Sequence, residues 1–269
     1  MTTTSESQNK GHFSGLETDR FHQAAEILLK ARRELDPISE LPAELRPNSL
    51  LEAYALLDIV ANALGAIGGW KIGAPNPEAT PAYGPIPLLG GFAQSGQRLS
   101  PHMRRYRGVE AEIGFLIGKD LPSREAPYTR EEVIAAIASA HPAIELLEAA
   151  YIDPDKVDRF SMIGDLQMNG GFAYGPAYAN WQNFDFSQES VAVTVDGSVR
   201  FEGKASNPAG TDLLRLITYL ANEGSARTGG LKAGQWITTG SWSGKTQANQ
   251  GSTVLVSFKH FGNVELYFE

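Results

Sequence analysis

The chain has 269 residues, 42% hydrophobic and 20% charged, the make-up of an ordinary soluble globular protein and not of a disordered one. A formal net charge of −8 makes it a poor partner for nucleic acid or an anionic membrane, and the absence of cysteine excludes disulfides, thiolate metal sites, iron–sulfur clusters and cysteine nucleophiles. No apolar run reaches the roughly 18 residues of a membrane span, and the opening MTTTSESQNKGHFSG lacks the apolar stretch of a secretory signal, so a cytoplasmic protein is expected.

Residues 1–17 read as a polar tail and residues 18–66 as a helical segment. In its first helix Phe21, Ala24, Ala25, Ile27, Leu28 and Ala31 recur at helical spacing, with Thr18 and Asp19 as candidate caps. Pro37, Pro42 and Pro47 interrupt the pattern. A second helix is expected from Ser49 to about Leu64, opened by Ser49 with Glu52 three residues on, the pattern of a capping box. Residues 67–269 then change character to a β-rich body. GGWKIG, residues 68–73, reads as a short strand, and residues 74–89 as an irregular proline-rich loop. Residues 109–118 alternate and then run apolar, a strand with a buried end. Residues 128–140 read as a helix capped by Thr129, with Glu132 three residues on, and residues 142–152 fit strand or helix equally. A hairpin turns at Asp196-Gly197, a helix covers 211–222, and the remaining segments, 234–241 and 252–269, read as strands. The sum is an α+β fold: a β-rich domain preceded by helices.

Chemistry is expected first at Glu110 and Glu112. In a strand these two side chains share a face, and neighbouring carboxylates within an apolar strand call for a positive charge, such as a hard divalent cation. Taken alone, the pair is more simply a solvated strand face. Glu145 strengthens the case, because Pro142, Ala143, Ile144, Leu146 and Leu147 around it favour burial, and a buried carboxylate needs a partner. Lys71, inside a short apolar strand, is either an amine whose burial depresses its pKa for proton transfer or a lysine reaching out from a strand end. Asp165 and Asn169 lie in a glycine-rich polar turn that turn chemistry alone would explain. Thr239, Gly240 and Ser241 follow an apolar strand, where they either receive a carboxylate or form a β-turn. The nucleophile elbow, zincin helix, P-loop and dinucleotide fingerprint are all missing, and the five histidines lack ligand spacing.

In this order the segments GWKIG, VEAEIGFLIGKDLP, PAIELLE, GD-x3-NGGFAYG and LKAGQWITTGS resemble the 2-keto-4-pentenoate hydratase group. That group lies within the fumarylacetoacetate hydrolase superfamily and includes 4-oxalocrotonate decarboxylases. The likeness runs from about Leu50 to the C-terminus. It implies a mixed β roll or sandwich with helices ahead of it, a homo-oligomer, and a small 2-oxo acid as substrate. It also implies an Mg²⁺ or Mn²⁺ site held by Glu110, Glu112 and Glu145, catalytic roles for Lys71 and Asp165, and substrate contacts from Thr239, Gly240 and Ser241. Hydration of a 2-hydroxydienoic acid is the first expectation. Decarboxylation, then hydrolysis of an acylpyruvate, then a non-catalytic binding protein follow. The sequence departs from the group's pattern at Ala82, Leu166 and Met168, where polar residues are usual, which predicts a more apolar pocket.

Overall fold

The computed structural model describes residues 15–269 apart from Met103. The expected tail lies outside the described residues as far as residue 14, and helix α1 (Gly15–Glu34) already begins at Gly15. Thr18 and Asp19 therefore lie inside the helix and do not cap it. Helix α2 (Leu50–Ala63) opens as expected, with the Ser49 side chain accepting from the Glu52 N–H. The reciprocal half of the capping box is replaced by a brace between helices. The Glu52 carboxylate accepts from the Asn48 N–H at 2.8 Å and pairs with Arg20 of α1 at 2.9 Å. The apolar faces of the two helices meet through Phe21, Ala24, Leu28, Leu56, Leu57 and Val60, and they close over Ala150, Tyr151, Ile163 and Leu166 of the body.

The body's strands are β1 (Ile67–Gly73), β2 (Ala82–Pro87), β3 (Phe92–Gln94), β4 (Arg98–Leu99), β5 (Gly108–Ile117), β6 (Leu121–Pro122), β7 (Ile137–Leu147), β8 (Asn169–Tyr174), β9 (Ser190–Val195), β10 (Ser198–Lys204), β11 (Gly230–Leu231), β12 (Trp236–Thr238), β13 (Thr246–Gln247), β14 (Thr253–Phe258) and β15 (Gly262–Phe268). Between them run α3 (Arg130–Ala136), α4 (Arg159–Gly164) and α5 (Leu213–Asn222). One sheet has the order β2-β1-β12-β5-β7-β8-β3, with β13 also on β5, and a second has the order β10-β9-β14-β15-β4. No described helix is long and apolar enough to cross a membrane.

Two segments differ from their expected state for reasons of pairing. Residues 82–87, expected as loop, form β2 at the edge of the large sheet, where Pro85 and Pro87 are tolerated because one side of an edge strand needs no N–H donors. The expected helix over 128–140 stops at Ala136, after a complete capping box at Thr129 and Glu132. Residues 137–140 join β7 because that strand is central, hydrogen-bonded to β5 on one side and β8 on the other, and these pairings override local helical preference.

Alternation along the central strands sorts the two faces of the large sheet. Ala111, Ile113 and Phe115 of β5, with Ile144 and Leu146 of β7, enter the main core, which Val193, Val254, Val256 and Leu266 of the second sheet and Leu216 and Ile217 of α5 complete. Glu110, Glu112 and Glu145 face the other way.

Candidate active site

Strands β5 and β7 are antiparallel in a register that sets Glu110 directly opposite Glu145, with Glu112 two residues along on the same face. The three side chains each bring a carboxylate oxygen within 4.8 Å of the others. Glu112 and Glu145 are buried and Glu110 half-buried. Burial first, then the charge of Glu145, pushes the Glu110 carboxyl up to about 7, against the opposing pull of Lys71. The same two causes, with Glu110 added, push Glu112 well above the usual carboxylate range. Like charges this close and this dry are short of positive charge.

Lys71 on β1 supplies part of it. Its amine donates to Glu145 Oε1 at 2.6 Å and to the Gln167 carbonyl at 3.0 Å. Burial alone would depress this amine, as the sequence suggested, but the carboxylates of Glu145, Glu110 and Glu112 outweigh it and the net shift is upward. Ionised together, the three carboxylates exceed the Lys71 ammonium by two negative charges, the deficit that a divalent cation balances. Protein donors already hold one oxygen on each of two carboxylates: the Gly240 N–H donates to Glu112 Oε2 at 2.9 Å, and Asn169 Nδ2 joins Lys71 on Glu145 Oε1 at 3.0 Å. Ser241 lies against the third carboxylate, that of Glu110, as a side-chain hydrogen-bond partner. An all-oxygen donor set of this kind fits a hard cation such as Mg²⁺ or Mn²⁺.

These groups line a cavity of about 270 Å³. Ala74, Pro75 and Ala82 are its apolar residues beyond β1, Ile72 turns its side chain into the main core, and Gly73, Gln167, Thr238, Gly240 and Ser241 complete the lining. Gly240 has φ +91°, a conformation open to glycine and strained for any other residue, and this aims its N–H at Glu112. Of the expected trio, Gly240 and Ser241 reach the cavity, whereas Thr239 turns its hydroxyl to the Ile113 carbonyl at 2.9 Å in the core. Its neighbour Thr238 lines the cavity instead, beside Lys71 in the β1–β12 register, and its buried hydroxyl has no hydrogen-bond partner among the described residues. Only the strand register could have distinguished the two threonines.

Asp165, expected at the chemistry, is walled off from it. Its carboxylate is fully buried, pairs with Arg32 Nε at 2.6 Å and accepts from the Ala150 N–H at 2.7 Å. Burial pushes it up and Arg32 pulls it down, with a net upward shift. After it Leu166, Gln167 and Met168 run at φ 57°, 51° and 65°, three successive left-handed residues without a glycine, each costing roughly 1–2 kcal/mol. Of the three positions where the pattern departs from the resembled group, Ala82 lines the cavity, while Leu166 is packed among the N-terminal helices and Met168 is absent from the lining.

Residues 94–268 match the family described as fumarylacetoacetate hydrolase C-terminal. The 2-keto-4-pentenoate hydratase of Paraburkholderia xenovorans (strain LB400) is 26% identical over 161 residues, 60% of this chain and 58% of that protein's length. A 4-oxalocrotonate decarboxylase of a Pseudomonas species is 26% identical over 159 residues, 58% of each chain. The fold is that of the 4-oxalocrotonate decarboxylase from Pseudomonas putida G7, solved in complex with magnesium and adipate, at a TM-score of 0.77 and 20% identity over 97% of this chain and 100% of that one. With that match covering well over half its length, this chain belongs to the fumarylacetoacetate hydrolase family.

Proposed function

We propose that this protein is a divalent-metal-dependent lyase acting on a small 2-oxo acid, and that its reaction is hydration of a 2-hydroxydienoic acid of the 2-keto-4-pentenoate type. The observation that carries this is the convergence of Glu110, Glu112 and Glu145 beside Lys71 in a cavity with one apolar wall. In this reading the three glutamates hold Mg²⁺ or Mn²⁺, which when bound supplies Lewis-acid polarisation of the substrate's carboxylate and 2-oxo oxygens. Lys71 uses two of its three N–H donors on Glu145 and Gln167, and the third, without a partner among the described residues, is placed to hand a proton to the substrate carbon chain. The Thr238 hydroxyl and Ser241 are the polar groups that orient the acid end.

Decarboxylation of a 4-oxalocrotonate-type substrate is the second reading, favoured by the overall likeness to a decarboxylase that was solved with adipate, a dicarboxylate. Against it stands the cavity side of Ala74, Pro75 and Ala82, which offers no cation to a second carboxylate. Arg105 and Arg107 direct their guanidiniums to the carbonyls of Tyr151 and Arg105, and Lys245 is paired with Asp155. Acylpyruvate hydrolysis would ask for a His–Glu pair ahead of β5, and His102 there is exposed.

Two measurements test the proposal. Calorimetric titration with Mn²⁺ is expected to give tight single-site binding that Glu110→Gln weakens by roughly ten- to a hundredfold. Unaltered binding in that variant sinks the metal site. Loss of dienoate ultraviolet absorbance should require the metal and should favour alkyl-tailed substrates by roughly 0.8 kcal/mol per buried methylene. Preference for a tail with a second carboxylate, with release of CO₂, would decide for the decarboxylase instead.

A further inference from the structure

We infer that Arg32, on the N-terminal helix, is a positioning residue for the cavity: it clamps both ends of the turn 165–169, whose middle carbonyl holds the Lys71 amine. Arg32 is buried and makes four hydrogen bonds, three to that turn and one to Glu148 beside it. Nε donates to Asp165 Oδ1 at 2.6 Å, Nη2 to the Asp165 carbonyl at 2.9 Å and to the Glu148 carbonyl at 3.0 Å, and Nη1 to the Asn169 carbonyl at 2.9 Å. A planar guanidinium can serve all four acceptors together and an ammonium cannot.

Between the clamped ends lie the three left-handed residues Leu166, Gln167 and Met168. Such a run persists only where its surroundings over-determine it. The conformation has a consequence at the cavity. The Gln167 carbonyl accepts from Lys71 Nζ at 3.0 Å, and Asn169, at the far end of the turn, donates to Glu145 Oε1 at 3.0 Å. Arg32 is absent from the cavity lining. Its effect on the reaction therefore passes through the turn to Lys71 and Glu145, and it rests on the reading of Lys71 as the proton carrier. The N-terminal helix is by this account part of the site's support.

Arg32→Lys tests this while keeping a cation against Asp165. Two quantities are read well below the melting temperature: the rate at which Lys71 is reductively methylated in metal-free protein, followed by peptide mass spectrometry, and kcat and KM on a 2-hydroxydienoate. Lys71 is expected to label about tenfold faster as the turn opens locally. The rate constant kcat should fall by about a hundredfold, the scale of an ångström-sized misplacement, with KM nearly unchanged. Adding Met168→Gly should recover most of both losses, because glycine takes the left-handed conformation freely; a merely stabilising arginine gives no reason for that rescue. Should Arg32→Lys not fold, Asp165→Asn, which keeps three of the four arginine bonds, is expected to shift both readouts in the same direction by less. Unchanged labelling and kcat in a folded variant, or no rescue by Met168→Gly, overturns the inference. Labelling needs no turnover, so a wild-type protein inactive on every 2-oxo acid would sink the proposed reaction and leave the clamp to be judged by Lys71 labelling and its rescue.

Discussion

Along one face of the large sheet the chemistry reverses within a few residues. At one end Glu110, Glu112, Glu145, Lys71 and Thr238 surround the cavity. At the other, Ile86, Ala143, Phe172 and Trp236 are packed, with Trp236 4.3 Å from the Tyr174 ring and 4.8 Å from His141. The same strands build both ends, and Gly114 on β5 separates them, since a side chain there would collide with Phe172. The polar group at the aromatic end is satisfied within the protein. His141 donates from Nδ1 to the Gly175 carbonyl at 2.9 Å, which leaves Nε2 to accept from the Ser139 hydroxyl at 2.7 Å. At the acidic end carboxylates face one another and the Thr238 hydroxyl has no partner among the described residues. A buried polar group with its partners in place is architecture; an unpartnered one beside clustered carboxylates and an open cavity is consistent with a bound group.

The sharpest break in this contrast is Lys71→Met. Removing the ammonium bonded to Glu145 should lower kcat by roughly 10²–10⁴-fold, the range for a general acid or base, with Mn²⁺ binding retained in calorimetry. A near-normal rate would make Lys71 a structural counter-charge only. Trp236→Ala works on the opposite end. It should cost about 3–5 kcal/mol in denaturant unfolding, since it empties the centre of the aromatic cluster. Mn²⁺ affinity should change little, and a parallel loss of metal binding would mean the two ends are one unit.

His141 gives the smallest effect. Burial holds its imidazole below the usual 6.5, partly opposed by the Gly175 carbonyl. The unfolded chain thus takes up the proton more readily than the folded one. Stability is complete above about pH 6.5 and is lost as pH falls toward the folded value, at no more than about 1.4 kcal/mol per pH unit. His141→Asn should flatten the fall in melting temperature between about pH 7 and pH 5. An equally steep fall in the variant would assign the acid sensitivity to other groups.

Local rules carried the reading furthest where partners are close in the chain. The helical repeat of Phe21, Leu28 and Ala31, the cap at Ser49, the turn at Asp196-Gly197 and the shared face of Glu110 and Glu112 all follow from geometry within a few residues. Glu145 was legible because apolar neighbours on both sides signal burial. Where distant partners decide, expectation and structure part. Residues 137–140 have helical neighbours in sequence but strand neighbours in space, and Asp165 is drawn from the cavity by an arginine 133 positions away.

By itself, then, the sequence determined periodicity: which residues alternate, which repeat at a helical turn, and so which carboxylates can stand together. Which face of β12 opens on the cavity, and hence that Thr238 and not Thr239 lines it, was decided only when that strand paired with both β1 and β5. The left-handed turn after Asp165 is held where Arg32 and the Glu148 carbonyl meet it from two separate stretches of chain. The physical reason is common to both. Period-two alternation leaves the register of a strand free by one residue, and a strained backbone is held only by contacts that close after the chain has collapsed around it.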